Sequence, residues 1–310
     1  MSRWTAKDIP PQTGRVAVVT GANSGLGLAT SRELARAGAT VVMGCRDASR
    51  GAAAVKAVRE QVPEADLDLQ SLDLASLASI GEFAQRVAAS YDGIDLLINN
   101  AGVMAIPRAT TADGFEMQFG TNHLGHFALT GQLLPSIRDR AGSRIVTVSS
   151  TAHKPGRINF DDLMSERSYR KWQVYSQSKL ANLLFAYELQ RRLAASGAQT
   201  ISVAAHPGYA ATNLQAVGPQ QAGNRVMGVL MNVGNWIFAQ SADMGALPQL
   251  YAATAPGVHG GEYFGPSGFQ ENRGHPKKVD SRPRSKNTAD AARLWQVSQE
   301  LTGVRFLDGQ

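Results

Sequence analysis

Tyr175 and Lys179, in Tyr175-Ser176-Gln177-Ser178-Lys179, are the residues whose types and spacing most plainly suit chemistry. Positions i and i+4 share one face of a helix. A phenol with an ordinary pKa of about 10 exchanges protons poorly at neutral pH until its anion is stabilised, and a nearby ammonium does that. Proton exchange on a carbonyl or carbinol oxygen also needs a hydroxyl to orient that oxygen and hold its developing charge. Ser149-Ser150, closing the apolar run 144–149, supplies two candidates. Taken alone, Tyr-x-x-x-Lys is also what an ordinary surface helix pair looks like, so its company decides.

That company begins at Thr20-Gly21-Ala22-Asn23-Ser24-Gly25-Leu26-Gly27, between the β-branched run 15–20 and a helical pattern. Glycines there let the backbone turn tightly and approach a pyrophosphate, whose charge then meets a helix N-terminus. The glycines stand at 21, 25 and 27, a spacing different from the common G-x-G-x-x-G fingerprint. Nineteen positions beyond Gly27, where an acidic residue would bind ribose hydroxyls, stands Arg46. A guanidinium suits a 2′-phosphate, so NADP(H) is expected over NAD(H). Asp47 is the competing feature, because it can pair with Arg46. Asp73, followed by Leu74, lies beyond the third strand, where its carboxylate either accepts from an adenine amine or caps the next helix.

These residues need a frame. Apolar strand-like runs at 15–20, 40–44, 67–70, 96–100, 144–149 and 200–205 alternate with helical patterns at 28–37, 52–61, 79–89, 114–138 and 175–196. Continuously apolar strands alternating with helices imply a parallel sheet covered on both faces. The expectation is an α/β chain with a Rossmann-type doubly wound parallel sheet, residues 1–310 forming a single dinucleotide-binding domain. Two segments interrupt the alternation. Residues 151–174 lengthen the connection after strand five. Residues 209–240 are apolar but broken by glycine and asparagine, and read as a lid over a pocket for a hydrophobic small-molecule substrate. Residues 265–310 read as a C-terminal extension.

The chain has 310 residues, 43% apolar and 18% charged, which excludes global disorder. Its net charge of +6 is concentrated in 277–286, where five basic residues face Asp280, and this reads as a solvated loop; no nucleic-acid partner is expected. The single cysteine, Cys45, permits no internal disulfide and fits a reducing, cytoplasmic home. No transmembrane run and no signal peptide are expected. His123, His126, His153 and His206 adjoin the motifs, but none has metal-ligand spacing among carboxylates, and no metal is expected.

Together the glycine turn, Asn99-Asn100-Ala101-Gly102, Asn122 in Thr121-Asn122-His123-Leu124-Gly125-His126-Phe127, Ser149-Ser150, Tyr175-x-x-x-Lys179 and His206-Pro207-Gly208 with Thr212 resemble the short-chain dehydrogenase/reductase family, in the branch of the retinol dehydrogenases. The resemblance spans about 14–306. It implies hydride transfer between a nicotinamide cofactor and a carbonyl or alcohol carbon, with Tyr175 as general acid/base. It also implies that Lys179 lowers the Tyr175 pKa and binds the nicotinamide ribose, Ser150 holds the substrate oxygen, and Asn122 holds a water that relays protons from Lys179. Asn100, Ala101 and Gly102 would line the adenosine side, and Pro207, Gly208 and Thr212 the nicotinamide side. The family often forms dimers or tetramers, although the residues do not choose between these and a monomer. One departure matters: the lysine that commonly follows the third glycine in retinol dehydrogenases is Leu28 here, so the NADP(H) expectation rests on Arg46. A second reading keeps the fold but makes the chain an NADP(H)-sensing binding protein without turnover.

Overall fold

The computed structural model describes residues 3–209 and 240–308. Apart from Tyr209 and Gln240, the expected lid and Thr212 lie outside the described residues.

The sheet is built on β1 (Val16–Thr20), β2 (Thr40–Cys45), β3 (Leu67–Ser71), β4 (Leu96–Asn99), β5 (Arg144–Val148) and β6 (Ile201–Ala205). Two further strands, β7 (Tyr263–Pro266) and β8 (Pro276–Lys278), complete the order β3-β2-β1-β4-β5-β6-β7-β8. All pairings are parallel except β7 with β8. The chain therefore reverses its direction of travel across the sheet between β1 and β4, which opens a crevice at their C-terminal ends.

Side chains along each strand alternate between two cores. Ala17, Val19, Val41 and Met43 face a core shared with Leu34 of α1 (Gly25–Arg36), Val58 of α2 (Ala48–Gln61) and Leu250 of α7 (Ala242–Thr254). Val18 and Val42 face the other core, with Phe83 of α3 (Leu77–Ser90), Phe127 of α5 (Gly125–Leu133), Phe185 of α6 (Lys171–Ala195) and Trp295 of α8 (Thr288–Thr302). Trp295 stacks on Phe185 with centroids 5.9 Å apart and meets Phe306 at 4.6 Å.

Several sequence expectations need correction. Six strands become eight. β7 contains Gly265 and Pro266, and β8 is a three-residue edge strand carrying Pro276, Lys277 and Lys278, so neither shows the β-branched pattern of a central strand. Segment 265–310 is accordingly part of the sheet and its covering layer rather than an appendage. Its basic residues are exposed, as a solvated stretch implies, but Lys277 and Lys278 lie on β8 rather than in a loop, and Lys278 Nζ meets Glu262 Oε1 at 2.7 Å. The single helix expected over 114–138 is instead α4 (Met117–Phe119), a π-helical turn (Gly120–Leu124), α5 and a 3₁₀ turn (Leu134–Ser136). Helix α6 begins at Lys171, four residues before Tyr175, without a side-chain cap at Arg170 that could have marked its start.

Candidate active site

The crevice between β1 and β4 is closed by a fully partnered hydroxyl. Thr20 Oγ1 accepts from the amides of Asn100 and Ala101, each at 2.9 Å. His126 Nδ1 donates to the Asn122 carbonyl at 3.0 Å, which leaves Nε2 to accept from Thr20 Oγ1 at 2.9 Å. Burial holds this imidazole neutral, with its pKa down at about 4. Asn100 Nδ2 completes the clamp on the Thr20 carbonyl at 2.8 Å. Strand four and the glycine turn are thus tied edge to edge.

The turn needs its glycines for two reasons. Gly21 and Gly25 have φ of 66° and 54°, a region that favours glycine. A Cβ on Gly27 would lie 2.3 Å from the Gly21 carbonyl oxygen, so α1 packs against the turn at a distance only glycine permits. Ser24 is the N-cap of α1, yet its side chain makes no capping hydrogen bond. The first-turn amides of that helix therefore end at a cavity of about 670 Å³, lined here by Asn23, Ser24, Gly25 and Leu26.

At the end of β2 the cavity meets two guanidiniums, Arg46 and Arg50, both exposed. Asp47 does not pair with Arg46: it is the N-cap of α2, accepting from the Arg50 amide at 3.0 Å and the Ser49 hydroxyl at 2.6 Å. The sequence reading missed Arg50. Its spacing from the N-cap was the available signal, since an Asp cap places the third helical residue beside its own turn. Asp73 and Leu74 also line the cavity. The cap of α3 is Ser76 rather than Asp73, whose Oδ1 accepts from the Ala75 amide at 2.9 Å.

The far end of the cavity carries Ser150, Tyr175 and Lys179. Both residues of the helical pair are buried, at 5% and 4% exposure. Lys179 Nζ lies 5.9 Å from the Tyr175 ring centroid and donates to the Val148 carbonyl at 3.2 Å. Burial pushes the phenol up to about 12, while the Ser150 hydroxyl pulls it the other way. Burial alone brings Lys179 down to about 8. Desolvation is the larger of the two effects on Tyr175 in this cavity.

The two serines divide their work. Ser149 is buried and its Oγ donates to the Lys179 carbonyl at 2.8 Å, fixing α6 against β5. Ser150, half-buried, accepts from the Ala152 amide at 3.1 Å and faces the cavity beside Tyr175. Asn122, in the π-helical turn, is fully buried and absent from the cavity wall. Its Oδ1 accepts from the Val103 amide at 2.8 Å, and its Nδ2 donates to the Val103 carbonyl and to Ser178 Oγ, each at 2.9 Å. Both ends of the side chain are thus engaged by the protein. Gly102 fits between them because it has no side chain: a Cβ there would sit 2.9 Å from Asn122 Oδ1 and 3.5 Å from Lys179 Nζ.

Pro207 and Gly208 reach the cavity from the end of β6. Gln240 Nε2 holds the Pro207 carbonyl at 2.6 Å, a contact sequence reasoning did not find because the two positions lie 33 residues apart. Among the described residues no group of three or more His, Cys, Asp or Glu side chains is placed to hold a metal ion.

The doubly wound sheet, the uncapped helix behind a glycine turn and the Ser-Tyr-Lys group on one cavity define a dinucleotide-dependent oxidoreductase. The short chain dehydrogenase family pattern matches residues 15–222, and the chain belongs to that family, whose members act on CH–OH groups with a nicotinamide cofactor. It is 42% identical over 306 residues to human (Homo sapiens) retinol dehydrogenase 14, covering 94% of this chain and 87% of that protein. Human retinol dehydrogenase 13 is 41% identical over 297 residues, covering 94% and 85%. A crystal structure of an uncharacterized protein from Mycobacterium paratuberculosis superposes with a TM-score of 0.81 at 45% identity, covering 98% of this chain and 99% of that one.

Proposed function

We propose that this chain is an NADP(H)-dependent reductase and dehydrogenase of hydrophobic carbonyl and alcohol substrates. The observation that carries the reading is the convergence of Ser150, Tyr175 and Lys179 on the same cavity as the glycine turn. The residues fit a dinucleotide: the uncapped α1 N-terminus suits the pyrophosphate, and the close glycine packing leaves the backbone accessible there. Gly21, Asn23, Ser24, Gly25, Leu26 and Gly27 would hold that part. Asp73 and Leu74, with Asn100, Ala101 and Gly102, would flank the adenosine. Pro207 and Gly208, with Thr212, would flank the nicotinamide side. When bound, the dinucleotide donates or accepts a hydride at its nicotinamide ring.

In the reductive direction Tyr175 gives its phenolic proton to the substrate oxygen, and in the oxidative direction it takes that proton back. Ser150 donates a hydrogen bond to the same oxygen and holds its charge. Lys179 would bind the nicotinamide ribose and offset the phenolate in Tyr175. Asn122 braces Val103 and Ser178 behind them. Two guanidiniums at the β2 end, with Asp47 occupied as a helix cap, support NADP(H) over NAD(H). Trp172, Tyr209, Met104 and Pro155 line the cavity and support an apolar substrate, in keeping with the names of the retinol dehydrogenases it resembles. We further infer one catalytic unit in a cytoplasmic setting, which the single, buried free thiol of Cys45 supports.

A panel of hydrophobic aldehydes, ketones and secondary alcohols, assayed by nicotinamide absorbance with each cofactor, tests this reading. Turnover with NADPH at a kcat/KM at least about tenfold above NADH is expected, a difference of about 1.4 kcal/mol. Tight dinucleotide binding with no turnover on any member would overturn it in favour of a sensor.

A further inference from the structure

Beneath the loops of Ser150 and of Pro207 and Gly208 lies a group of titratable residues that the proposed chemistry does not use. His206, fully buried at the end of β6, accepts from the Gly208 amide through Nδ1 at 3.2 Å. Its proton therefore sits on Nε2, which faces Glu271 Oε2 at 3.2 Å. The same carboxylate oxygen meets Lys154 Nζ at 3.3 Å. Lys154 follows His153, whose Nδ1 donates to the Ser150 carbonyl at 2.7 Å. One carboxylate thus joins the loop of Pro207 and Gly208 to the loop of Ser150.

The backbone is bent to make this possible. Gln270 and Glu271 have φ of 51° and 60°, two consecutive non-glycine residues in the left-handed region. Such conformations persist only where surrounding contacts impose them, and they gather at functional sites. Apolar burial does not explain the turn, because Phe269 beside it is 83% exposed. What the turn achieves is contact. A Cβ on Gly208 would lie 2.5 Å from the Asn272 carbonyl oxygen and 2.8 Å from that of Glu271, and a Cβ on Gly265 would lie 2.0 Å from His206 Nε2. The Tyr209 amide donates to the Asn272 carbonyl at 2.8 Å. Burial disfavours a charged His206, and the adjacent imidazole, with Lys154, holds the Glu271 carboxyl down at about 2, so a neutral imidazole faces an ionised carboxylate.

We propose that His206, Glu271 and Lys154 form a positioning bridge that sets the Ser150 hydroxyl relative to the Pro207-Gly208 loop, with Glu271 as its centre. The inference rests on the function proposed above and deepens it: these are positioning residues, remote from the pyrophosphate and adenosine contacts. Removing the bridge lets the two loops move independently, and misplacement by an ångström can cost up to about a hundredfold in rate.

The test compares wild type with Glu271→Ala and Lys154→Met, the second being a half-exposed site that folding tolerates. Two readouts are taken on each: kcat and dinucleotide Kd, and amide hydrogen exchange at Gly208 and Ala152 in the cofactor-free chain. The bridge predicts that Glu271→Ala lowers kcat by roughly 10–100-fold while Kd changes by less than about threefold. It also predicts that both amides exchange at least about tenfold faster in that variant. Lys154→Met should move both readouts in the same sense by a smaller amount. If wild type turns nothing over, the functional reading fails, and the exchange data alone still judge the bridge. Unchanged exchange at Gly208 and Ala152, or an unchanged kcat in folded variants of an active enzyme, overturns it.

Discussion

Tyr175 and Lys179 are buried together, and burial drives their pKa values apart, the phenol up to about 12 and the amine down to about 8. Burying an ammonium costs stability even where a carbonyl accepts from it, as Val148 does from Lys179. The native chain binds fewer protons than the unfolded chain between pH 8 and the ordinary lysine value of 10.5, so stability rises with pH across that window and the full cost is present below it. Lys179→Met should therefore stabilise the cofactor-free chain at pH 7 by on the order of 2–3 kcal/mol, a gain that fades toward pH 10, while activity is lost. Denaturant unfolding at the two pH values checks this, and a destabilised variant would show that Lys179 is compensated in a way the burial argument omits. The pair itself was legible in the sequence, because i and i+4 need only a helix. Which serine faces the substrate was assigned by resemblance; Ser149 is committed to the Lys179 carbonyl, a contact no sequence pattern announces.

The end of β2 shows what local elements add. From sequence, Arg46 and Asp47 were rivals; in the fold they separate, because Asp47 turns back to cap α2 while Arg46 and Arg50 remain at the cavity. Arg46→Asp should shift the NADP(H)/NAD(H) preference toward NAD(H) by about 10–100-fold in kcat/KM, a loss of charge-assisted contact worth roughly 1.5–3 kcal/mol. A variant that keeps the original preference would place the selectivity at Arg50 or elsewhere. Strands β1 to β6 announced themselves through continuous apolar runs between helices. The elements that escaped are those in which tertiary contacts override local signals: the Pro- and Lys-bearing edge strand β8, the π-helical turn around Asn122, and the left-handed turn at Gln270 and Glu271. Lys154, His206 and Glu271 meet only because β6 pairs with β7, which short-range pattern cannot express.

Across the whole molecule, the strand order puts the C-terminal ends of β1, β2, β4, β5 and β6 along one edge, and the glycine turn, Arg46, Asn100, Ser150 and Pro207 reach the cavity from that edge. The core beneath the α3, α5, α6 and α8 layer is held by the ring cluster of Phe127, Phe185, Trp295 and Phe306. Trp295→Ala should cost about 3–5 kcal/mol in thermal or chemical unfolding, with little change in dinucleotide affinity once folded. A loss below about 1 kcal/mol would mean that the C-terminal helix contributes little to the fold. The claim on which the account turns is that the phenol of Tyr175 carries the proton of the reaction. Measuring kcat and dinucleotide Kd for Tyr175→Phe tests it most directly. A fall in kcat of about 10²–10⁴-fold with Kd unchanged within about threefold is predicted; turnover at the wild-type rate would contradict it.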